Sequence, residues 1–256
     1  MNLPAMFSLQ GRRALITGSA QGLGYRYAEA LAAAGATVVL NDLDETRLGA
    51  AVANLRERGV PAESVAFNVA RPDEVSARLE EFTRTRGPID ILVNNAGIHR
   101  RAPLAEMTAA QWQEVIDVNL SGAFHVARAV VPGMIARRRG KVINICSLMS
   151  EATRPTTGNY TAAKGGLKLL TKSMAVEWAP HGIQANGIGP GYILSDMTAP
   201  LAASPEFDAW VKSRTPAGRW GSPDDLIGAA IFLASPASDF INGQIIYIDG
   251  GWLAAL

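Results

Sequence analysis

Seven short apolar runs recur along the chain, and longer segments of helical character separate them. Nearly continuous apolar runs are typical of strands that are buried on both faces of a parallel sheet. The runs occupy residues 13–17, 37–41, 64–67, 89–93, 141–146, 184–188 and 244–248. The alternation of strand and helix therefore predicts a doubly wound α/β fold, with helices on both faces of the sheet and right-handed crossovers.

One stretch departs from this alternation. Residues 195–222 are rich in proline, serine and alanine, and they carry four large apolar side chains without a clear strand pattern. A segment of this kind after the carboxyl end of a strand often covers a ligand, and a surface helical hairpin is the equally favoured alternative. Because no linker or repeat interrupts the sequence, residues 1–256 are expected to form one domain.

Composition narrows the class of protein. Of the 256 residues 48% are hydrophobic, and the formal net charge is +1, so a globular protein is favoured and no charge pattern suggests a nucleic acid or a membrane as partner. Cys146 is the single cysteine, and His99, His125 and His181 lack metal-ligand spacing, so neither disulfides nor a metal site are expected. With no leader-like or membrane-spanning segment, the expected location is the cytoplasm.

A glycine-rich turn follows the first predicted strand and opens an alanine-rich helix. Glycines there allow a tight turn and a close approach of the backbone to a pyrophosphate, and the free N–H groups of the helix start attract the anion. The turn is interpreted as a dinucleotide site, and a purely structural turn is the alternative. The residues expected to contact the cofactor are Gly18, Ser19, Gln21, Gly22, Leu23 and Gly24.

Asp42, at the end of the second predicted strand, indicates which dinucleotide binds. A carboxylate in this position accepts hydrogen bonds from the adenosine ribose and repels a 2'-phosphate. NADP needs a basic residue nearby, whereas Gln21 and Leu43 occupy the adjacent positions, so NAD is expected and NADP is disfavoured. In the alternative interpretation, Asp42 and Asp44 cap the next helix.

Two further turns follow predicted strands. Asn94 and Asn95 precede Ala96 and Gly97, whose small side chains let the backbone approach the cofactor, while the asparagine amides can tie neighbouring strands together. Ligands of such sheets gather at the carboxyl ends of the strands, so a second turn after the sixth strand is expected near the nicotinamide carboxamide. A simple loop is the alternative for this turn, which contains Pro190, Gly191 and Ile193.

Tyr160 and Lys164 lie four residues apart, so a helix places the phenol and the ammonium on one face. A phenol titrates near ~10, and a cation one turn away stabilises the phenolate, which makes proton transfer to an alcohol or a carbonyl feasible. Ser147 precedes the pair at the end of an apolar strand. With a dinucleotide as hydride partner, these residues indicate a nicotinamide-dependent oxidoreductase. Taken singly, Ser147 could be a helix cap and Tyr160 a packed aromatic residue.

With the glycine turn, the Asn-Asn-Ala-Gly turn, Ser147 and the Tyr160/Lys164 pair in this order, the sequence resembles the short-chain dehydrogenase/reductase family over nearly its whole length. The resemblance implies a seven-stranded Rossmann-type sheet and a catalytic set of Asn119, Ser147, Tyr160 and Lys164. Tyr160 would exchange the proton, Ser147 would hydrogen-bond the reacting oxygen, and Lys164 would lower the tyrosine pKa and contact the nicotinamide ribose.

The resemblance also implies roles for residues outside the catalytic trio. Asn119 is expected to hold a water that links Lys164 to solvent, and a loop-bracing amide is its alternative role. Asn68 and Val69 correspond to family positions near the adenine. Family members are commonly tetramers, so a homotetramer is expected. The apolar end of the chain, residues 247–256, is expected to lie exposed near a subunit interface.

Within the family, segments such as NNAGIHRRAPL and RTPAGRWGSPDDLIGAA are similar to those of enzymes that act on gluconate and 5-keto-gluconate. The similarity implies reaction at a secondary hydroxyl of a sugar acid, whose carboxylate needs an anchor. Arg100 and Arg101 are the candidates, since a guanidinium binds a carboxylate in bidentate fashion, and surface ion pairs are the alternative. The further candidate substrate residues are Ser147, Glu151, Tyr192 and Trp220.

Other functions share parts of this pattern. A 3-oxoacyl carrier-protein reductase, or another polyol or ketone dehydrogenase, has the same implied catalytic set. A protein of a different class, a redox sensor that binds a dinucleotide without turnover, needs the cofactor turn but has no use for Tyr160 beside Lys164.

Overall fold

The structure is a computed structural model in which residues 3–255 are described. A single parallel sheet of seven strands forms its centre, in the order β3-β2-β1-β4-β5-β6-β7. The strands are β1 (Arg13–Ile16), β2 (Thr37–Leu40), β3 (Ala62–Ser64), β4 (Ile91–Asn94), β5 (Gly140–Ile145), β6 (Ile183–Pro190) and β7 (Ile245–Ile248). The predicted doubly wound α/β fold is confirmed.

Helices cover both faces of the sheet. They are α1 (Leu3–Met6), α2 (Gly22–Ala33), α3 (Glu45–Glu57), α4 (Pro72–Arg86), α5 (Ala109–Ile116), α6 (Gly122–Arg137), α7 (Gly158–Trp178), α8 (Ala199–Ala202), α9 (Pro205–Arg214) and α10 (Asp224–Ala234). A π-helical turn, Asp117–Ser121, joins α5 to α6. Short 3₁₀ turns lie at Leu148–Ser150, Ala179–His181, Pro236–Ser238 and Trp252–Ala254.

The core consists of two main apolar layers because successive strand residues point to opposite faces of the sheet. Ala14 and Ile16 of β1 pack in one layer with α2, α3 and α10. Leu15, between them, packs in the other layer with α4, α6 and α7. This arrangement holds the carboxyl ends of the strands in fixed positions along one edge of the sheet.

The third strand was predicted at residues 64–67 and lies instead at Ala62–Ser64, so that prediction was wrong by most of its length. Its partner β2 ends at Leu40, and beyond that point the side chain of Asn41 donates to the carbonyls of Val65 and Phe67, both at 3.1 Å. The apolar pattern there reflects burial in the core and not strand pairing. The other six predicted strands agree with the structure to within two residues at each end.

The stretch 195–222 contains α8 and α9, and a bridge between Ile193 and Gly221 closes its base. The end of the chain folds back onto the protein. Trp252 is only 8% exposed and packs with Leu148 and Met149, so the prediction of an exposed apolar end was wrong for this residue. Leu256, the last residue of that predicted contact, lies outside the described residues.

Within residues 3–255, none of the helices combines the length and the apolar character needed to cross a membrane.

Candidate active site

The carboxyl ends of five strands open into one cavity of about 400 Å³. Such a position, beyond the ends of parallel strands, is where open α/β sheets bind ligands. The cavity brings together most of the residues predicted to contact the cofactor or the substrate. These are Gly18, Gln21, Gly22, Leu23, Gly24, Asp42, Leu43, Asn68, Val69, Asn95, Ala96, Gly97, Ser147, Tyr160, Lys164, Pro190, Gly191 and Ile193.

The glycine turn has the backbone that a pyrophosphate site requires. Gly18 has φ +60, and a Cβ on it would lie 2.9 Å from Cα of Ala96. A Cβ on Gly24 would lie 2.3 Å from the carbonyl oxygen of Gly18. No side chain caps the first N–H groups of α2, so they are free to bind an anion. The residues present therefore fit a dinucleotide.

The turn after β4 braces the glycine turn. The Thr17 hydroxyl oxygen accepts from the backbone N–H groups of Asn95 and Ala96, both at 3.0 Å. The Asn95 amide donates to the carbonyls of Thr17 and Gly18, both at 2.9 Å. Asn94 donates to the Asn144 side chain of β5 at 2.8 Å, so the predicted tie between strands is confirmed. We name Thr17, Asn95 and the glycine turn the cofactor cradle.

Ser19 belongs to the cradle but not to the cavity wall. It is fully buried, and its hydroxyl donates to the carbonyl of Ile16 at 2.8 Å. The side chain therefore stabilises the turn, and only its neighbours face the cavity.

At the end of β2, the structure distinguishes the roles of Asp42 and Asp44, which the sequence alone left open. Asp44 is the N-cap of α3 and accepts from the backbone N–H of Arg47 at 3.0 Å. Asp42 is half-buried in the cavity wall, and among the described residues its side chain accepts only from the backbone N–H of Asp44, at 3.2 Å. Asp42 is therefore available to a ligand, and the capping alternative applies to Asp44.

Arg47 is a cavity residue that the sequence analysis missed. Its guanidinium donates to Gln21 at 2.8 Å and to Asp44 at 3.1 Å, and its Nε is buried without a partner. The signal was present, because an N-cap at Asp44 places Arg47 in the first turn of α3. The prediction of NAD assumed that no basic residue lies near Asp42, and Arg47 removes that assumption.

Tyr160 and Lys164 lie one turn apart on α7, as predicted, and Ser147 follows β5 beside them. The Lys164 ammonium donates to the carbonyl of Ile145 at 2.6 Å and lies 5.6 Å from the centre of the Tyr160 ring. Burial lowers the pKa of Lys164 to about 8. These three side chains line the same cavity.

The pKa of Tyr160 differs from the sequence-based expectation. Burial raises it to about 12, although the hydrogen bond with Ser147 lowers it in part. Lys164 is not among the groups that shift it. Burial therefore acts against the lowering that the resemblance implies for Lys164, and that role of Lys164 stays a prediction.

Asn119 lies in the π-helical turn and is buried. Its amide oxygen accepts from the backbone N–H of Ile98 at 2.8 Å, and its amide nitrogen donates to the Ile98 carbonyl at 2.9 Å. The side chain therefore braces the segment after β4, as the alternative interpretation held. Its contact with a water stays a prediction. π-helical turns are frequent at functional sites.

Three candidate substrate residues are engaged elsewhere. Arg100 pairs in bidentate fashion with Glu114 on the surface, at 2.6 and 2.8 Å. Glu151 pairs with Lys168 at 2.5 Å and also accepts from the Tyr247 hydroxyl. For Arg100, the surface ion pair that was weighed against carboxylate binding is the observed arrangement.

Trp220 is the third such residue and belongs to an aromatic cluster. Its indole N–H donates to Asp208 at 2.9 Å. Tyr192 is the centre of this cluster, and its ring lies 4.9–5.8 Å from four other rings. The four are Phe207, Trp210, Trp220 and Trp252. Through this cluster, Phe207 and Trp210 of α9 pack against Tyr192 and Trp252.

Two further residues near Tyr160 were not recognised as site residues in the sequence. His99 was considered only for metal-ligand spacing, yet its ring stacks on that of Tyr160. Arg154 lies in the segment between Ser147 and Tyr160, and no motif marks it. Arg101, in contrast to Arg100, interacts electrostatically with Arg154, Tyr192 and Tyr160.

Comparison with known proteins gives a consistent result. Residues 18–253 match the family model described as enoyl-(acyl carrier protein) reductase. The chain is 50% identical over 253 residues to a 2-dehydro-3-deoxy-D-gluconate 5-dehydrogenase of Formosa agariphila, covering 98% of this chain and 96% of the relative. It is 49% identical over 251 residues to a 5-keto-D-gluconate 5-reductase of Escherichia coli, covering 98% and 99%.

A solved structure is similar over the same length. The gluconate 5-dehydrogenase of Burkholderia cenocepacia, crystallised in complex with NADP and tartrate, superposes with a TM-score of 0.97. It is 50% identical, and the match covers 99% of each chain.

Proposed function

The chain belongs to the short-chain dehydrogenase/reductase family, and we propose that it interconverts a secondary alcohol and a ketone at C5 of a sugar acid, with a nicotinamide dinucleotide as the hydride partner. The observation that carries the proposal is the convergence of Ser147, Tyr160 and Lys164 on the cavity that also contains the cofactor cradle. The substrate is inferred from the relatives that act on gluconate, 5-keto-gluconate and 2-dehydro-3-deoxy-gluconate.

The roles of the side chains follow from their protonation and position. The bound nicotinamide ring supplies or accepts the hydride. Tyr160 gives its proton to the ketone oxygen during reduction and takes the proton back during oxidation, while Ser147 donates a hydrogen bond to that oxygen. The raised pKa of Tyr160 keeps the phenol protonated at neutral pH, which is the form that reduction requires. Lys164, with its lowered pKa near 8, remains a cation at neutral pH.

For the cofactor, we propose that the site accepts NADP through Arg47. The guanidinium lines the cavity near Asp42 and Gln21, and its buried Nε has no partner, so a phosphate on the adenosine ribose would complete its hydrogen bonds. The NADP complex of the Burkholderia relative supports this choice. Asp42 can still bind the ribose of NAD, and both cofactors are expected to support turnover.

A substrate scan tests the proposed function. Gluconate and 2-dehydro-3-deoxy-gluconate, with oxidised cofactor, and 5-keto-gluconate, with reduced cofactor, are each incubated with the protein and followed by the absorbance of NAD(P)H. Turnover of at least one sugar acid is expected. Preferred reduction of a 3-oxoacyl thioester would favour the carrier-protein reductase instead. Cofactor binding without turnover of any alcohol or ketone would favour the redox sensor.

We also infer a homotetramer, as in many members of the family. The outer surfaces of α6 and α7 support it, because they expose large apolar side chains that a monomer would leave in water. Leu169 and Val176 of α7 are 62% and 77% exposed, and Phe124 of α6 is 45% exposed. Light scattering at micromolar concentration should give four times the mass of the chain, and a monomer would contradict the inference.

A further inference from the structure

His99 stacks on the catalytic tyrosine with both of its ring nitrogens unused. Its ring centroid lies 4.6 Å from that of Tyr160, and the two planes differ by 4°. Nδ1 and Nε2 are buried, and neither has a hydrogen-bond partner among the described residues. Buried polar atoms are normally hydrogen-bonded, so an unpaired imidazole against the reacting phenol needs a partner from outside the chain.

Arg154 shows the same deficit a short distance away. Its guanidinium lies 5.0 Å from the centre of the Phe207 ring on α9, and its Nε and Nη2 are buried without partners. Eight buried side-chain polar atoms lack a partner within the described residues, and His99 and Arg154 contribute four of them. The deficit is therefore concentrated around His99, on whose pKa Arg154 acts.

The segment that carries Arg154 is held in a defined conformation. Thr157 donates from its hydroxyl to the Arg154 carbonyl at 2.8 Å. Thr156 has φ 70, a left-handed conformation that is costly for a β-branched residue. The Thr156 carbonyl accepts from the backbone N–H of Ala102, next to Arg101. The two arginines are therefore linked through neighbouring backbone.

The local electrostatics favour an anion. Burial, Arg101 and Arg154 together lower the pKa of His99 to about 4, so the imidazole is uncharged at neutral pH. Burial and the charge of Arg154 lower the pKa of Arg101, and no carboxylate is among the groups that act on it. Arg154 is half-buried and Arg101 is exposed, and a bound carboxylate relieves the repulsion between their two guanidinium groups.

We propose that Arg154, together with Arg101, binds the carboxylate of the substrate, and that His99 hydrogen-bonds one of its hydroxyl groups. The site then selects a polyhydroxy acid over a neutral polyol of the same shape. This inference rests on the proposed function and adds to it the residues that recognise the sugar acid. Because Phe207 lies against the Arg154 guanidinium, α9 positions the anchor.

The test compares gluconate with sorbitol, which carries a CH₂OH group in place of the carboxylate. We expect Arg154→Gln to raise KM for gluconate roughly 10- to 100-fold, as for the loss of a charge-assisted pair, while kcat/KM for sorbitol stays within about threefold. Arg154→Lys, which keeps the charge, should recover part of the loss. Arg100→Gln is the matched control and should leave both substrates unchanged, since Arg100 pairs with Glu114.

His99→Phe separates the two parts of the site. Phenylalanine keeps an aromatic ring against Tyr160 but loses both nitrogens, so kcat/KM should fall for gluconate and sorbitol alike. An Arg154→Gln variant that loses both substrates equally, or neither, overturns the carboxylate assignment. A His99→Phe variant with unchanged kinetics overturns the hydroxyl contact.

Binding distinguishes failure of this inference from failure of the proposed function. Calorimetric titration of the NADPH-saturated protein with gluconate, a pair that cannot react, should give a Kd that rises roughly 10- to 100-fold in Arg154→Gln. If the wild type binds gluconate in this Arg154-dependent way but does not oxidise it, the proposed reaction is wrong and the anion site stands. If binding is absent, or independent of Arg154, the anion site is wrong. Thermal unfolding of each variant verifies that it is folded.

Discussion

The cofactor cradle and a basic cluster near Tyr160, formed by His99, Arg101 and Arg154 and called here the basic side, differ in how completely their polar groups are paired. In the cradle, the Thr17 hydroxyl oxygen and the Asn95 amide nitrogen each bond to two backbone groups of the neighbouring turn. On the basic side, the imidazole of His99 and two guanidinium nitrogens of Arg154 have no partner within residues 3–255. We assign the cradle to the cofactor, the basic side to the proposed substrate, and Tyr160 to the proton transfer.

The difference teaches which groups serve the fold and which serve a ligand. A paired network stabilises the folded chain by itself, so the cradle is formed before any cofactor arrives. An unpaired buried donor costs stability until a partner satisfies it, so the unpaired donors near Tyr160 and at Arg47 are the ones we assign to ligands. Arg47 is instructive, because its unpaired Nε lies beside the cradle, where the proposed NADP phosphate would bind.

The largest effect is expected at Tyr160, where the two regions meet. Tyr160→Phe removes the hydroxyl that exchanges the proton, and kcat should fall by about 10²- to 10⁴-fold. Fluorescence titration with NADPH should give the wild-type Kd, since the cradle is intact. Retained turnover in the variant would show that another group moves the proton.

The next largest effect tests whether the unpaired donor at Arg47 binds the cofactor. Arg47→Gln should raise KM for NADP roughly 10- to 100-fold, the range for hydrogen bonds to a charged group, and leave KM for NAD nearly unchanged. Arg58→Gln is the control, because this arginine follows α3 at its other end and pairs with Glu29. Equal losses with both cofactors would mean that Arg47 acts through the fold and not through the phosphate.

A third experiment compares the stabilities of the two regions directly. Asn95→Ala leaves the carbonyls of Thr17 and Gly18 unpaired and should lower the free energy of unfolding by about 1–3 kcal/mol. For a chain of this size, each kcal/mol lowers Tm by roughly 2–4 °C. Arg154→Gln removes donors that have no partner, so its Tm should equal or exceed that of the wild type. A lower Tm in Arg154→Gln than in Asn95→Ala would contradict the contrast between the regions.

The smallest effect concerns pH. His99 titrates at about 4 in the folded protein and near 6.5 when unfolded, so the unfolded chain binds more protons between these values. Stability from this residue is complete above pH 6.5 and is lost progressively as the pH falls towards 4. Thermal unfolding of His99→Phe should therefore depend less steeply on pH in this window than that of the wild type. Parallel curves would mean that the imidazole titrates normally.

The sequence predicted the fold and the cradle because both depend on local rules. Gly18 and Gly24 occupy places where a Cβ would collide with backbone, and such glycines at a strand-to-helix turn form a recognisable motif. Apolar runs located six of the strands for a similar reason. The third strand failed because Asn41, distant in sequence from Val65, pairs with the backbone carbonyls there in place of a strand.

The basic side could not be predicted because it depends on tertiary contacts. The Arg154 guanidinium contacts the Phe207 ring on α9, and the His99 ring stacks on Tyr160 of α7. Neither contact has a fixed spacing along the chain. The adjacent arginines 100 and 101 illustrate the limit, since one pairs with Glu114 on the surface and the other faces Arg154 and Tyr160. Arg47, by contrast, could have been found from the N-cap at Asp44.

The π-helical turn between α5 and α6 sets the direction in which the side chains of α6 point. Each residue of an α-helix advances the side-chain direction by about 100°. The wider turn at Asp117–Ser121 therefore acts as one inserted residue, which rotates the side chains of the helix that follows. Asn119 points at Ile98 because of this offset. A one-residue deletion there would let the helix continue as regular α-helix, and it is expected to remove the support that Asn119 gives to Ile98 and so to the cavity wall.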